Sequence, residues 1–418
     1  MTYTDKQIKR ILETAYNEVP YFNYIINGII QSTDEITPDL LHRLPTFNKK
    51  TILEIGWENF VSGNYLDEEY RPRVKGVARI EKTSGTTGNP MGILWKNSDF
   101  FASNMNHWKF RSVNYGITPN SRMCTSSKNI PGDDVYYIDP RSGKMTFSIK
   151  LLNEETIKRI IEKINEYEPE WLYIQNSILY VLVYFAEKYA LKFPSSIKYI
   201  EYIGEPLCKY YRKRIYENIP CPSSDMYGCV ETNGISYECI EGHNHLLTDN
   251  VIVEIVDEDG KCVPEGECGY VCVTGLHNTA MPMLRYRLND IAEITKNVEC
   301  NCGNKNPIID IKAGRMTEYL LLDDASVFPD AKLFCPINSG LQGFDPHSND
   351  IVFNLKMNAL DDYDINVYQN NCKDIDVADI LTRLFVAYKL PNIRFTVSYV
   401  ANFDSSKPAG MLTLGGKR

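Results

Sequence analysis

Eight residues, Thr83-Ser84-Gly85-Thr86-Thr87-Gly88-Asn89-Pro90, crowd hydroxyls and glycines directly after the strand-like run VARIEK. Such a loop suits an oligophosphate. Glycines let backbone N–H groups approach the oxygens, and hydroxyls add donors without bulk. No Gly-Lys-Ser/Thr follows, so this is not the common mononucleotide phosphate loop. Taken alone, the octet also reads as a plain Ser/Thr/Gly surface loop. A second set of residues has metal-binding character. Cys300-Asn301-Cys302-Gly303 forms a C-x-C-G knuckle, and Cys239 precedes His243 and His245. Three cysteines and one histidine are a common structural zinc set, and with no open ligand position the metal would not be catalytic. Free buried cysteines are the competing reading.

These residues need a scaffold, and the chain is long enough to supply one. Its 418 residues allow two or three domains with a large buried core. The formal net charge is −9 and no Lys/Arg-rich run stands out, which disfavours a nucleic-acid surface. The opening MTYTDKQIKRILETAYNEVP is polar and helix-like, without the apolar stretch of a signal peptide. The longest apolar run, Ile178 to Phe185, is too short to cross a bilayer. Twelve cysteines in such a chain point to free thiols or a metal site, and to the cytosol.

Between Glu155 and Gly228 helical patterns alternate with short apolar runs. Helices are expected at Thr156–Tyr167, Ser177–Tyr189 and Lys209–Glu217, and strands at Trp171–Gln175, Ile197–Ile203 and Asp225–Tyr227. That alternation predicts an α/β fold with a mostly parallel, helix-covered sheet, whose ligands gather at the carboxyl ends of the strands. From Asn250 to Ile294 the texture changes. VIVEIV, a turn at Asp259–Gly260 and YVCVTG predict a β-rich subdomain of antiparallel strands. After Gly314, strand-like IVFNL, INVYQ and Arg394–Tyr399 flank a helix near Val377–Tyr388, which predicts a small α+β domain. The expected division is therefore a core over 1–314 and a mobile C-terminal domain over 315–418.

Further motifs follow in order: Gly204-Glu205-Pro206, Tyr227-Gly228-Cys229-Val230-Glu231, Arg285-Tyr286-Arg287-Leu288-Asn289-Asp290 and Gly314-Arg315. With the Thr83–Gly88 loop they make the chain resemble the adenylate-forming superfamily, in its branch of phenylacetate–CoA ligase-like and capsular-synthesis-type enzymes. AYNEVPYFN and LPTFNKKTI resemble that branch's N-terminal region, so the likeness covers nearly the whole chain. It implies that Thr83, Ser84, Gly85, Thr86, Thr87 and Gly88 hold the β- and γ-phosphates of ATP. Glu205 lines the nucleotide pocket, Tyr227 stacks on adenine, and Glu231 is the Mg2+-linked carboxylate. Asp290 takes the ribose hydroxyls, and Arg315 contacts ribose or phosphate. VSYVANFDSSKPAG resembles the segment carrying the adenylation lysine, which points to Lys407. Lys417, in Gly-Gly-Lys-Arg, is its rival, set at a terminus expected to fray. The branch's cysteine and histidine positions align His245 better than His243, giving Cys239, His245, Cys300 and Cys302 as the zinc set.

The likeness departs at four places. Val230 stands where Thr or Ser usually precedes the glutamate, and Asn289 replaces the usual glycine before Asp290. Thr317 takes the place of an acidic hinge residue, and Asp323-Asp324-Ala325-Ser326 lacks a glycine expected near a CoA channel. The reading is an AMP-forming carboxylate ligase using ATP and Mg2+, with CoA the leading acceptor and an aryl acid favoured by analogy. Alternatives are an adenylating enzyme that loads a carrier protein or an amine, and a nucleotide-binding protein without turnover. The expected partners are a small carboxylic acid and CoA or a carrier protein, with no nucleic acid or membrane; a homodimer is left open.

Overall fold

Ile157, Ile160, Ile161 and Ile164 recur at helical spacing, and in the computed structural model all four are fully buried on one face of the helix Glu154–Tyr167. The structure describes residues 3–73, 76–83, 91–127, 130–132, 134–149, 154–205, 207, 209–296, 299–313, 319–321, 327–329, 351–359, 362–369 and 394–400. The chain divides into two compact units, Met1–Asn114 with Met226–Arg315 and Tyr115–Asp225 with Met316–Arg418. Among the described residues no helix is long and apolar enough to cross a membrane.

In the unit Tyr115–Asp225 with Met316–Arg418, the strands Tyr199–Ile203, Trp171–Ile174, Met123–Ser127 and Met145–Ser148 pair in that order, all parallel. Tyr136–Ile138 adds an antiparallel strand against Met145–Ser148. Parallel neighbours need crossovers, and the helix Asn176–Lys188 supplies the one between Trp171–Ile174 and Tyr199–Ile203. Together with Lys209–Asn218 these helices close a core that includes Leu172, Ile174, Leu179, Val183, Ile200 and Ile215. Cys124 is buried there, and burial pushes its thiol up to about 12. In the C-terminal part, Ile351–Ala359 runs antiparallel to Asp362–Gln369, which pairs parallel with Arg394–Val400. The helix expected near Val377–Tyr388 lies outside the described residues.

The unit Met1–Asn114 with Met226–Arg315 is antiparallel. Its strands run in the order Val251–Val256, Gly269–Gly275, Tyr286–Thr295, Ile308–Ala313, Asn244–Leu246, Asn233–Glu238 and Ser223–Cys229. A separate hairpin joins Ala78–Lys82 to Gly92–Lys96. The N-terminal helices Tyr3–Glu18 and Pro20–Asn27 bury Ile11, Leu12, Phe22 and Ile26 in the same core as Phe47, Phe60, Trp95 and Tyr286.

The helix Asn97–Tyr115 escapes sequence patterning, and its burial says why. The residues it buries are Asp99, Ser103, His107 and Arg111, a polar stripe at i+4 spacing. Asp99, Ser103 and Arg111 each meet a partner, while His107 Nε2 is buried without a hydrogen bond among the described residues. Asp99 Oδ2 accepts from the Thr279 backbone N–H and hydroxyl, and Ser103 Oγ accepts from Asn233 Nδ2 at 2.9 Å. The Arg111 guanidinium lies 4.7 Å from the centre of the Trp108 ring. His107 occupies a notch that only glycine leaves open, since a Cβ on Gly234 would overlap its Nε2.

A buried ion pair anchors the start of the Arg285–Asp290 motif. Arg285 has φ 56° and sends Nε to Glu254 Oε2 at 3.0 Å, Nη1 to the Leu44 carbonyl at 2.6 Å and Nη2 to the Gly260 carbonyl at 2.9 Å. Both side chains are 6% exposed. Removing one partner of such a pair leaves a buried charge, at a cost of about 3 kcal/mol or more. Glu254→Ala is accordingly expected to lower the stability of the folded chain by roughly that amount, read from urea unfolding. A wild-type midpoint and slope would show that the pair anchors nothing.

Candidate active site

In sequence the hydroxyl–glycine segment falls between the hairpin strands Ala78–Lys82 and Gly92–Lys96. Thr83 and Met91 close its mouth: Thr83 N–H donates to the Met91 carbonyl and Met91 N–H to Thr83 Oγ1, both at 2.9 Å. Trp57 Nε1 holds the Gly92 carbonyl at 2.6 Å, which ties the outgoing strand to the N-terminal region. Of the expected phosphate residues, Thr83 is thus placed at the loop's base. Ser84, Gly85, Thr86, Thr87 and Gly88 lie outside the described residues.

The outgoing strand reaches a second motif. Trp95 Nε1 donates to the Val230 carbonyl at 3.1 Å, joining the hairpin to the turn that presents Glu231. That turn is tight. A Cβ on Gly228 would meet the Asn233 carbonyl oxygen at 2.7 Å, and Asn233 itself has φ 70°. Inside the turn Cys229 Sγ lies 3.2 Å from Thr232 Oγ1. Burial, with the Glu231 carboxylate nearby, pushes the Cys229 thiol up. Val230 packs its side chain against the apolar core, a role that the Thr or Ser usual at this position would fill less well.

Glu231 is 7% exposed, and its Oε1 accepts a hydrogen bond from the Tyr286 hydroxyl at 3.0 Å. Tyr227 donates its phenol proton to Asp290 Oδ2 at 2.7 Å. Thr83, Glu231, Tyr227 and Asp290 thus fall in one unit, where Tyr227 is bonded to Asp290 and Glu231 to Tyr286. Sequence reasoning missed Trp95 and Tyr286, which hold the second motif in place. Tyr286 lay within a quoted motif, yet nothing in its spacing marks it as a partner of Glu231. In the other unit Glu205 is half-buried, just past Gly204 at φ 76° and the carboxyl end of the strand Tyr199–Ile203. Arg315, Lys407, Lys417 and Thr317 lie outside the described residues.

The cysteine/histidine residues also converge. Cys239 directly follows the strand Asn233–Glu238, His245 sits on Asn244–Leu246, and Cys300 and Cys302 precede Ile308–Ala313. One donor atom from each lies within 4.8 Å of the other three. Cys239 Sγ and Cys300 Sγ are 3.8 Å apart, and Cys302 Sγ and His245 Nε2 are 3.4 Å apart. Those are about the edge lengths of a tetrahedron with Zn–S near 2.3 Å and Zn–N near 2.0 Å, so the donor set fits zinc. His245 Nδ1 faces the Asn306 carbonyl at 2.9 Å, which leaves Nε2 as the ligating nitrogen. His243 stays outside this set, with Nδ1 3.4 Å from Cys300 Sγ. That contact holds the Cys300 thiol down to about 6, while burial pushes Cys302 up to about 11.

Phenylacetate-coenzyme A ligase of Thermus thermophilus is 27% identical over 349 residues, which cover 78% of this chain and 72% of that protein. The enzyme of the same description from Escherichia coli is 23% identical over 336 residues, covering 78% and 73%. In fold, the chain is similar to 2-hydroxyisobutyryl-CoA ligase in the postadenylation state, with a TM-score of 0.64, 16% identity and coverage of 99% of this chain and 88% of that one. Residues 68–281, from the approach to the hairpin through the Glu231 turn to the eve of the Arg285 motif, match the AMP-binding enzyme family, and the chain belongs to that family.

Proposed function

We propose that the protein joins a carboxylic acid to CoA through an acyl-adenylate, with an aryl acid as the favoured substrate. The observation that carries this reading is the Trp95–Val230 hydrogen bond. It ties the hairpin bearing the hydroxyl–glycine loop to the turn presenting a buried, oriented carboxylate. The two relatives described as phenylacetate-coenzyme A ligases support the choice of acid and acceptor.

In the first half-reaction a carboxylate oxygen of the acid attacks the α-phosphorus of ATP and pyrophosphate leaves. This is a problem of alignment and charge neutralisation. Thr83 to Gly88 take the β- and γ-phosphates, and Glu231 takes the Mg2+ that accompanies ATP. Bound Mg2+ supplies charge neutralisation at the phosphates. Asp290 receives the ribose hydroxyls, Tyr227 offers its ring to adenine, Glu205 lines the pocket, and Arg315 reaches ribose or phosphate. In the second half-reaction the CoA sulfur attacks the acyl carbon, AMP leaves and the thiol proton is released. The segment 315–418 serves both steps, presenting Lys407 for the first and turning away for the second about a hinge at 314–318.

Two outcomes test this account. With ATP, Mg2+ and a panel of aryl, fatty and amino acids, AMP and an acyl-CoA thioester are expected to form one for one. AMP release that needs no CoA, with the acyl group on an amine or a carrier protein, would reassign the acceptor. Within that assay Lys407→Ala is expected to lower adenylate formation on the order of 100-fold or more, the range for loss of one electrostatic group at a reacting centre. Full activity in Lys407→Ala, with the loss appearing in Lys417→Ala, would move the role to Lys417.

The cysteine/histidine set is read as a structural zinc site of Cys239, His245, Cys300 and Cys302. Protein purified without added metal should carry close to one zinc per chain by elemental analysis. Cys302→Ser should lower both the zinc content and the thermal midpoint, because metal binding contributes to folding free energy. Less than a tenth of an equivalent in the wild-type protein would rule the site out.

A further inference from the structure

We infer that Tyr286 is the positioning residue for the Glu231 carboxylate, holding Oε1 so that Oε2 is the oxygen offered to a divalent cation. The inference rests on the reading of Glu231 as the Mg2+-linked carboxylate, and adds how that carboxylate is aimed. A glutamate carboxylate on three rotatable bonds can turn either oxygen outward, and orienting partners of metal ligands commonly change metal affinity by about 10–100-fold. Here the orienting contact is the Tyr286 hydroxyl, 3.0 Å from Oε1, with the phenol buried at 3% exposure. Oε2 accepts no hydrogen bond among the described residues.

Tyr286 is itself immobilised from outside the nucleotide motifs. The Phe47 ring packs edge-on against it at 5.3 Å, and the Phe47 backbone brackets it. Phe47 N–H donates to the Arg285 carbonyl at 3.3 Å, and Arg287 N–H donates to the Phe47 carbonyl at 2.7 Å. Behind Phe47 stands an aromatic cluster of Tyr21, Phe22 and Phe60, with Phe47 and Phe60 stacked at 5.4 Å. On the other side Arg285 is pinned by Glu254 and two carbonyls. A phenol held this firmly can act as a fixed hydrogen-bond donor rather than an adapting one. The N-terminal segment, remote in sequence, therefore helps to set the direction of a carboxylate in the reaction centre.

Tyr286→Phe removes only the hydroxyl and keeps the ring against Phe47. The probe is Mn2+ added to the protein with ATP, its binding read from the loss of the free Mn2+ electron paramagnetic resonance signal. The Mg2+ midpoint for acid-dependent pyrophosphate exchange is measured beside it. Wild type, Tyr286→Phe, Phe47→Leu and Glu231→Gln are compared. Tyr286→Phe is expected to weaken Mn2+ binding about tenfold and to raise the Mg2+ midpoint by a similar factor, with the rate at saturating Mg2+ much less affected. Phe47→Leu, which keeps the phenol but unseats it, should shift both in the same direction by a smaller factor. A purely structural role for Tyr286 would lower the amount of folded protein without moving either midpoint. If Glu231→Gln weakens Mn2+ binding while Tyr286→Phe and Phe47→Leu both bind it as wild type does, the positioning role is overturned. If Glu231→Gln also binds as wild type does, the reading of Glu231 falls, and this inference with it.

Discussion

One carboxylate sets the terms for much of this protein. Glu231, the carboxylate proposed to hold the Mg2+ of ATP, is almost wholly buried. A buried carboxylate is tolerable only when hydrogen-bonded or paired. Its turn therefore has little freedom. Gly228 admits the close approach of Asn233, Trp95 holds the Val230 carbonyl, Ser103 receives the Asn233 amide, and Tyr286 holds Oε1. Each partner comes from a different stretch of the chain. This explains how a hairpin, a polar-faced helix and an N-terminal aromatic cluster come to share one unit around a single side chain.

The strand Asn233–Glu238 extends that constraint outward. It begins two residues after Glu231 and ends one residue before Cys239, the first of the convergent cysteine/histidine set. Along it Gly234 makes room for His107, and Tyr237 stacks on Phe110 at 4.3 Å. A strand bounded at one end by a tight turn and at the other by four convergent cysteine and histidine side chains has little room to slip. Slippage by one residue would move every side chain to the opposite face. The cysteine/histidine set and the Glu231 turn thus lie at the two ends of one register.

Much of this was legible in the sequence where apolar periodicity is strong. The helices found at Glu154–Tyr167, Asn176–Lys188 and Lys209–Asn218 lie within a residue or two of the expected spans, as do the strands at Trp171–Ile174 and Val251–Val256. Convergence of Cys239, His245, Cys300 and Cys302 was also legible, because metal donors announce themselves by residue type. Three features were not. The helix Asn97–Tyr115 buries a polar stripe, so an apolar pattern could not reveal it. The strand expected over Asp225–Tyr227 runs longer, as Ser223–Cys229, because its continuation is set by pairing with Asn233–Glu238 rather than by its own apolar residues. Tyr286 and Trp95 carry no signature at all. Their roles depend on partners 55 and 135 residues away, and such contacts leave no mark on local spacing.

The central claim, that the acid is activated on the α-phosphorus of ATP, is tested most directly by following oxygen. A substrate acid labelled with 18O in its carboxylate, incubated with the protein, ATP, Mg2+ and CoA, should deliver one labelled oxygen to the phosphate of AMP. The carboxylate oxygen that attacks phosphorus is the one that departs with AMP when the thioester forms. Mass spectrometry of AMP and inorganic phosphate reads the outcome. Labelled AMP is the predicted result; unlabelled AMP, or ADP formed with label in inorganic phosphate, would contradict it.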